Sequence, residues 1–386
     1  MKTKAQIRFF TYSREMRKLR NLAIAALIGV GGLYLVSVGS AKPLAPGLRI
    51  GVLVSDSGEL SFAGSIQRAA ARLAVNDLAN TIAVKVELNF VDVGDSESDY
   101  SRAFVKLKAL RSDLVLAPIE SESARQLVEQ NSNNPLPIIA PSSLVDDLGG
   151  SSSKPWFFRL ATSPSQDSYA LSQFIAKSKP SSTLIVSSSL DSSRAQMKSI
   201  AFGLAMSGQR VQTINIKDTK AIAKTKPESL VLLSMEESLS FFSSLEDWVD
   251  QVPQVYLVPS NLADYSIYPW AKSLKGALAL SPRMEIETSF RTALAKALGN
   301  QAVLGARGAL VLNLGQRTYD AVKLAAEARI KAKNDSPEEL RAALSKSLKD
   351  GVKVFNKQGF LDLREYSVFR YGSSGTFSQS AVFSPN

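Results

Sequence analysis

The chain of 386 residues contains no cysteine and no histidine. Those two absences together remove disulfides, thiol nucleophiles, cysteine zinc sites and imidazole general bases. A lipid-modified cysteine is excluded as well, whereas the lack of disulfides says nothing against an oxidising compartment. Aromatic residues make up only 8% of the chain, and no dense basic patch with interleaved aromatics stands out, which argues against a nucleic-acid surface. Enzyme signatures are also missing. No G-x-S-x-G elbow, P-loop or G-x-G-x-x-G occurs. Ser151-Ser152-Ser153-Lys154 fits S-x-x-K, but it sits in a Gly/Ser loop and no S-D-N or K-T-G accompanies it. Asp92, Asp95 and Glu97 read as a solvated turn before a helix at Tyr100. The expectation is a non-enzyme with no cofactor and no metal.

Hydrophobic content of 45% with 21% charge marks an ordinary globular chain, long enough for two to three domains. The formal charge of +11 is largely local. Lys2, Lys4, Arg8, Arg14, Arg17, Lys18 and Arg20 lie in the first twenty residues against Glu15 alone; beyond them the excess falls to +5, spread along the chain. Residues 1–21 therefore form a basic cytoplasmic flank or signal n-region. Residues 22–41, "LAIAALIGVGGLYLVSVGSA", carry no charge and can span a bilayer at about 1.5 Å per residue. The flank holds its own end in the cytoplasm and places the rest outside. The small residues Gly39-Ser40-Ala41 also fit signal cleavage, so a transmembrane anchor and a cleaved signal peptide both stand. Either way the expected location is extracytoplasmic. Residues 42–47, with Pro43 and Pro46, read as a linker.

From Arg49 onward strands and helices alternate. Arg49–Val54 is a near-continuous apolar run, as in a strand covered on both faces. Ile66, Ala70, Leu73, Ala74 and Leu78 recur at helical spacing, and Val84, Val86, Leu88 and Phe90 alternate as in a strand. Further strands are predicted at Leu114–Leu116, Pro137–Ala140, Leu184–Val186, Val211–Ile216, Leu230–Leu233 and Gln254–Val258. Helices are predicted around Tyr100–Leu107, Ser168–Ala176, Arg194–Met206 and Ser238–Val249. This α/β rhythm implies parallel, doubly wound sheets, and eight or more units exceed one sheet, hence two lobes. Thr318–Ala332 and Pro337–Leu348 follow as helices, the second opened by Ser336-Pro337 with Glu338 and Glu339 in its first turn. After Gly351 the pattern turns to β.

Ligands of doubly wound folds bind beyond the carboxyl ends of strands, where helix N-termini present free N–H groups. Hydroxyl residues recur at those places. Ser57, Ser121, Ser123, Ser142 and Ser143 follow strands of the first half; Ser187, Ser188, Ser189, Ser192, Ser260 and Asn261 follow strands of the second. Each is equally suited to capping a helix.

Several phrases in order, "RIGVLVSDSGELSFAGSIQRAAARLAVNDL", "DLVLAPIESESA", "PLPIIAPSS", "WFFRLATSPSQDSYALSQFI", "TYDAVKLAAEA" and "FNKQGFLDLREYSVFRYGSSGTF", resemble the type I periplasmic binding proteins, in particular the leucine and branched-chain amino acid receptors of ABC transporters. The resemblance implies two Rossmann-like lobes with parallel sheets, 48–161 plus 282–358 and 162–281 plus 359–386. Three crossovers join them, near Leu160–Pro164, Leu280–Pro282 and Gly359–Leu363. It implies capture of a small polar ligand, an amino acid or related compound, in the cleft for an ABC permease. The alternative is a membrane-anchored sensor ectodomain or an envelope scaffold regulating cell-wall synthesis. By resemblance Ser121 matches the carboxylate-binding serine, and Ser142 and Ser143 match the next strand-end loop. Phe62 adjoins Ala63, which stands where an aromatic is common. Ser57, Ser123, Ser192, Ser260 and Asn261 complete the expected ligand set. The threonine that helps hold an ammonium is Leu144 here, and Glu120 or Glu122 would have to supply the missing charge.

Overall fold

The protein's structure, a computed structural model, describes residues 47–57, 61–82, 84–94, 97–119, 121–132, 134–142, 156–188, 191–233, 238–258, 273–284, 286–299, 308–350, 365–372 and 377–385. The basic flank, the apolar stretch 22–41 and the crossover expected at Gly359–Leu363 lie outside them. Among the described residues no helix is long and apolar enough to cross a membrane.

The first sheet is all parallel, in the order β2 (Lys85–Asp92), β1 (Gly47–Val54), β3 (Leu114–Leu116), β4 (Ile138–Ala140), β5 (Phe157–Arg159). Side chains alternate between its faces. Leu48, Ile50, Val52 and Val54 of β1 pack with Ala71, Ala74 and Leu78 of helix α1 (Ser61–Thr81). The same cluster takes in Ala321, Val322 and Ala325 of a long helix, Gly308–Lys331, and Leu340 and Leu344 of another, Pro337–Asp350. The opposite face buries Leu53, Val91 and Val115 against Phe104 and Leu107 of α2 (Glu97–Ala109) and Leu127 of α3 (Ser121–Gln130). Gly51 exposes no side chain to that face because Leu107 and the Ser112 hydroxyl already occupy the space, 2.8 Å from where a Cβ would stand.

The chain enters the second sheet through α4 (Pro164–Ser178). Its start is written locally: the Ser163 hydroxyl accepts the Gln166 N–H at 3.1 Å, Gln166 Oε1 accepts the Ser163 N–H at 3.0 Å, and Pro164 occupies the first turn. The second sheet has seven strands, in the order β12 (Phe377–Phe383), β11 (Tyr366–Tyr371), β10 (Leu278–Pro282), β9 (Gln254–Leu257), β8 (Ser229–Leu232), β6 (Ser182–Ser187), β7 (Arg210–Asn215). One face packs on α4 and α5 (Asp191–Met206), through Leu171, Ile175, Ile200 and Leu204. The other is covered by the five-residue α6 (Thr219–Ala223) and by α7 (Ser238–Val249), through Ile222, Leu245 and Val249. Helices α8 (Thr288–Leu298), α9 (Gly308–Lys331) and α10 (Pro337–Asp350) lie between β10 and β11 in sequence.

The alternation expected from sequence is present, with three differences. Strands β5 and β10 and helices α6 and α8 were not anticipated, since three to five residues are too few to show a period and α8 adjoins no strong start signal; the crossover expected at Leu280–Pro282 falls within β10. Helix α9 begins ten residues before Thr318. The second sheet is not purely parallel, because β10–β11 and β11–β12 run antiparallel with an irregularity at Val368/Phe369. Only residues 372–376 join β11 to β12, too short for a crossover, so a hairpin is the available connection.

At the corner between β1 and α1 the chain is drawn tight. The Asp92 carboxylate, at the end of β2, accepts the Asp56 N–H at 2.9 Å, the Ser57 hydroxyl at 3.0 Å and the Gly94 N–H at 3.2 Å. Partial burial pushes this carboxyl up, but those hydrogen bonds together hold it below the ordinary carboxylate range. Asp56 pairs with Arg68 of α1, whose guanidinium lies 4.2 Å over the Phe90 ring. Gly64 faces the Ser55 carbonyl so closely that a Cβ would overlap it.

Gly64→Ala is therefore expected to lose about 1–3 kcal/mol of folding stability, read as a lower urea midpoint; an unchanged midpoint would mean that α1 does not approach Ser55 this closely. Asp92, with its pKa lowered on folding, stabilises above the unfolded carboxylate value of about 3.9 and stops doing so as pH falls through its folded value. Melting temperatures of the native chain and Asp92→Asn should thus differ most near neutrality and converge in acid. A difference that stays constant from pH 7 to pH 2 contradicts the hydrogen-bonded carboxylate.

Candidate ligand-binding site

In both sheets the order of strands reverses once. The chain runs from β1 outward to β2, then returns past β1 to β3, β4 and β5; it runs from β6 outward to β7, then returns to β8, β9 and β10. The crevice at such a reversal, beyond the carboxyl ends, is where open α/β sheets hold ligands. The exits concerned are Ser55-Asp56-Ser57 after β1, Ala117-Pro118-Ile119 after β3 and Pro141-Ser142 after β4. Strands β1, β3 and β4 are neighbours, so at about 4.8 Å per strand their exits span about 10 Å, the length of a small metabolite.

Helix α1 ties two of these exits together. Through Gly64 it rests on Ser55, and one turn on, the fully buried Gln67 donates from Nε2 to the Ala117 carbonyl at 3.3 Å. The Ser55 hydroxyl and Gln67 Oε1 are both buried and have no hydrogen-bond partner among the described residues. Buried polar atoms are nearly always paired with protein, water or ligand, so these two at one reversal are candidates for meeting a polar group or a water there. The sequence reading missed both residues. Gln67 carries one available signal, a long polar side chain inside the apolar stripe of Ala63, Ile66, Ala70, Ala74 and Leu78; Ser55 carries none that separates it from Ser57.

The expected ligand set divides accordingly. Ser123 is buried in the first turn of α3, and Ser142, half-buried, stands two residues beyond β4; Ser121 is the first residue of α3. These share the β3 and β4 exits. Ser57 is exposed and spends its hydroxyl on Asp92. Phe62 packs half-buried in the cluster of Ala63, Ile66, Phe290 and Leu294, serving the core between α1 and α8. Ser192 lies in the first turn of α5, and Ser143, Ser260 and Asn261 lie outside the described residues. Around the β6 exit the hydroxyls are turned inward: Ser187 donates to the Met197 sulfur at 3.2 Å, and Ser193 accepts the Ser188 N–H at 3.1 Å. There the two hydroxyls hold the β6–α5 connection together.

Helix α9 reaches the second sheet at its start, where Asn313 donates to the Ser281 hydroxyl of β10 at 3.0 Å, and within the second sheet's own layer the Tyr366 hydroxyl of β11 donates to Asp167 of α4 at 3.1 Å. Arg317, one turn beyond Asn313, is desolvated enough to lower its pKa although Asp167 and Asp320 attract its charge. No group of three or more carboxylates able to hold a metal occurs among the described residues.

Comparison with known proteins agrees with this geometry. Residues 47–230 match the family model described as periplasmic binding protein. No curated protein matches the sequence significantly. A leucine-binding protein from Thermotoga maritima superposes with a TM-score of 0.73 at 13% identity, over 88% of this chain and 99% of its own. An ABC-transporter solute-binding protein from R. palustris, solved with benzoate, gives 0.69 at 13% identity over 88% and 97%. The branched-chain amino acid transporter substrate-binding protein of Streptococcus pneumoniae, solved with isoleucine, gives 0.66 at 16% over 88% and 100%. Non-catalytic binding proteins make up this family, in keeping with a chain that lacks an enzyme signature. With two sheets, a reversal in each and the family match over 47–230, the chain has the fold of the periplasmic binding proteins.

Proposed function

We propose that the protein is an exported solute-binding protein that takes a small polar ligand between its halves and presents it to an ABC permease. The halves are drawn at 48–161 plus 282–358 and at 162–281 plus 359–386. The observation that carries this reading is the gathering of Ser55, Gln67, Ser123 and Ser142 at three adjacent strand exits beside the reversal of the first sheet, two of their polar atoms unmatched. Leucine, isoleucine and benzoate, held by proteins of the same fold, share a carboxylate. Hydroxyls at the β3 and β4 exits, with the N–H groups opening α3, suit that group. An amino acid or a related carboxylate is accordingly the ligand class. Closure moves the halves about the crossovers, and ligand favours the closed form through contacts to both. Residues 1–21 and 22–41 place the protein outside the cytoplasm, as an anchored or a signal-cleaved chain.

A second reading has its own support. At the β6 exit the Ser187 hydroxyl is given to Met197 and the Ser193 hydroxyl to the Ser188 N–H, which leaves these two groups with less to offer a ligand. A sensor ectodomain or an envelope scaffold regulating cell-wall synthesis would use the same fold without solute delivery.

Thermal shift of the full chain against amino acids, amides and aromatic carboxylates separates the two. A ligand at one hundred times its Kd contributes about 2.7 kcal/mol, a rise of about 4 °C for a chain of this size. Ser142→Ala should weaken that ligand about tenfold with little loss of stability. A flat response across the library sinks solute capture and leaves the scaffold reading.

A further inference from the structure

The chain's modest positive excess beyond residue 20 looks evenly dispersed along the sequence, but the fold concentrates part of it. An open cavity of about 790 Å³ lies at the starting ends of β6 and β7, between those strands, α6 and the connection into β8. Strand exits such as Ser187 are about 16 Å away along β6, at the other end of the sheet. The cavity exists because α6 is only five residues long and covers the edge of the sheet incompletely. Arg210, Lys220, Lys224 and Lys226 line it, against one acid, Asp218.

That acid is already engaged, because Asp218 Oδ1 accepts the Ala221 N–H at 3.0 Å and caps α6. The nearby Glu228 is committed as well, with its Oε2 accepting the Ser181 N–H at 2.6 Å. Arg210 is fixed in place by donating from Nε to the Ser181 carbonyl at 3.3 Å. Lys220, Lys224 and Lys226 make no ion pair among the described residues. The Ser182 hydroxyl oxygen accepts the Glu228 N–H at 3.3 Å, so its own proton can be donated into the cavity. No aromatic side chain lines the space, which removes base stacking and with it any preference for nucleosides or single-stranded nucleic acid.

We propose that this cavity is a second binding site, separate from the strand-exit crevice, for a compact phosphate compound bearing several negative charges. Four cations against the charges of Asp218 and the nearby Glu228 leave a surplus of two, which matches a di- or triphosphate rather than a monocarboxylate, whose single charge would leave part of the positive field uncompensated. Lysine ammonium groups on flexible stems close on such an anion as point charges, and Arg210 adds a fixed planar donor. The site stands whether or not the strand-exit crevice takes a solute.

Calorimetric titration of the full chain with inorganic phosphate, pyrophosphate and tripolyphosphate tests it. Affinity should rise along that series, fall with added salt and weaken about tenfold or more in Lys224→Glu/Lys226→Glu. Both substituted positions are exposed, and an unchanged melting temperature certifies the fold. The control Lys85→Glu/Lys296→Glu makes the same change in net charge at exposed positions on β2 and α8 and should bind as the native chain does. The proposal is overturned by absence of binding at millimolar pyrophosphate, by indifference to the cavity substitutions, or by equal weakening in the control.

Discussion

Parallel pairing is the constraint from which the rest follows. Two strands side by side and pointing the same way cannot be joined by a tight turn, so each must be followed by a return path over a face of the sheet. All exits then collect at one edge, and all helix starts collect with them. In this chain that edge carries Ser55, Ser123 and Ser142 in one sheet and Ser187, Ser188 and Ser193 in the other. Both faces of the central strands are buried by the return paths, which is why β1 and β8 are apolar nearly throughout.

That geometry explains which parts were legible in the sequence. Strands such as Arg49–Val54 and Leu230–Leu233 announce themselves because a doubly covered strand has no polar side to hide. The start of α4 carries a purely local signal in Ser163, Pro164 and Gln166, four residues before the helix was expected. The antiparallel margin of the second sheet was not, since Tyr366–Tyr371 reads as a strand in either direction and only its neighbours decide. The site divides in the same way. Serines at the exits were found by position, but whether a hydroxyl faces a ligand or a carboxylate depends on partners far along the chain. Ser57 meets Asp92, thirty-five residues away. Gln67 reaches Ala117, and Arg210 joins Lys220, Lys224 and Lys226, only once sheets and helices are assembled.

Among the described residues, helix α9 is tied to the second sheet at its start and to the first sheet farther along. Asn313 and Ser281 share one hydrogen bond where α9 begins, while farther along the same helix Ala321, Val322 and Ala325 are locked into the core under β1. A neutral hydrogen bond contributes about 1 kcal/mol, against several for each large apolar group in the core. Asp167 and Asp320 attract the Arg317 charge while its burial opposes that charge.

The passage of the chain back and forth between its sheets has a consequence for synthesis. The core beneath β1 is completed by residues as late as Leu340 and Leu344, and the second sheet by Tyr366, Tyr371 and Phe383. As the polypeptide leaves the ribosome, neither half can close its interior on its own early residues. Apolar surface on β1 and β3 stays open until α10 has been added, and the margin of the second sheet until β11 and β12 have, and the growing chain must be kept from sticking to its neighbours for that interval.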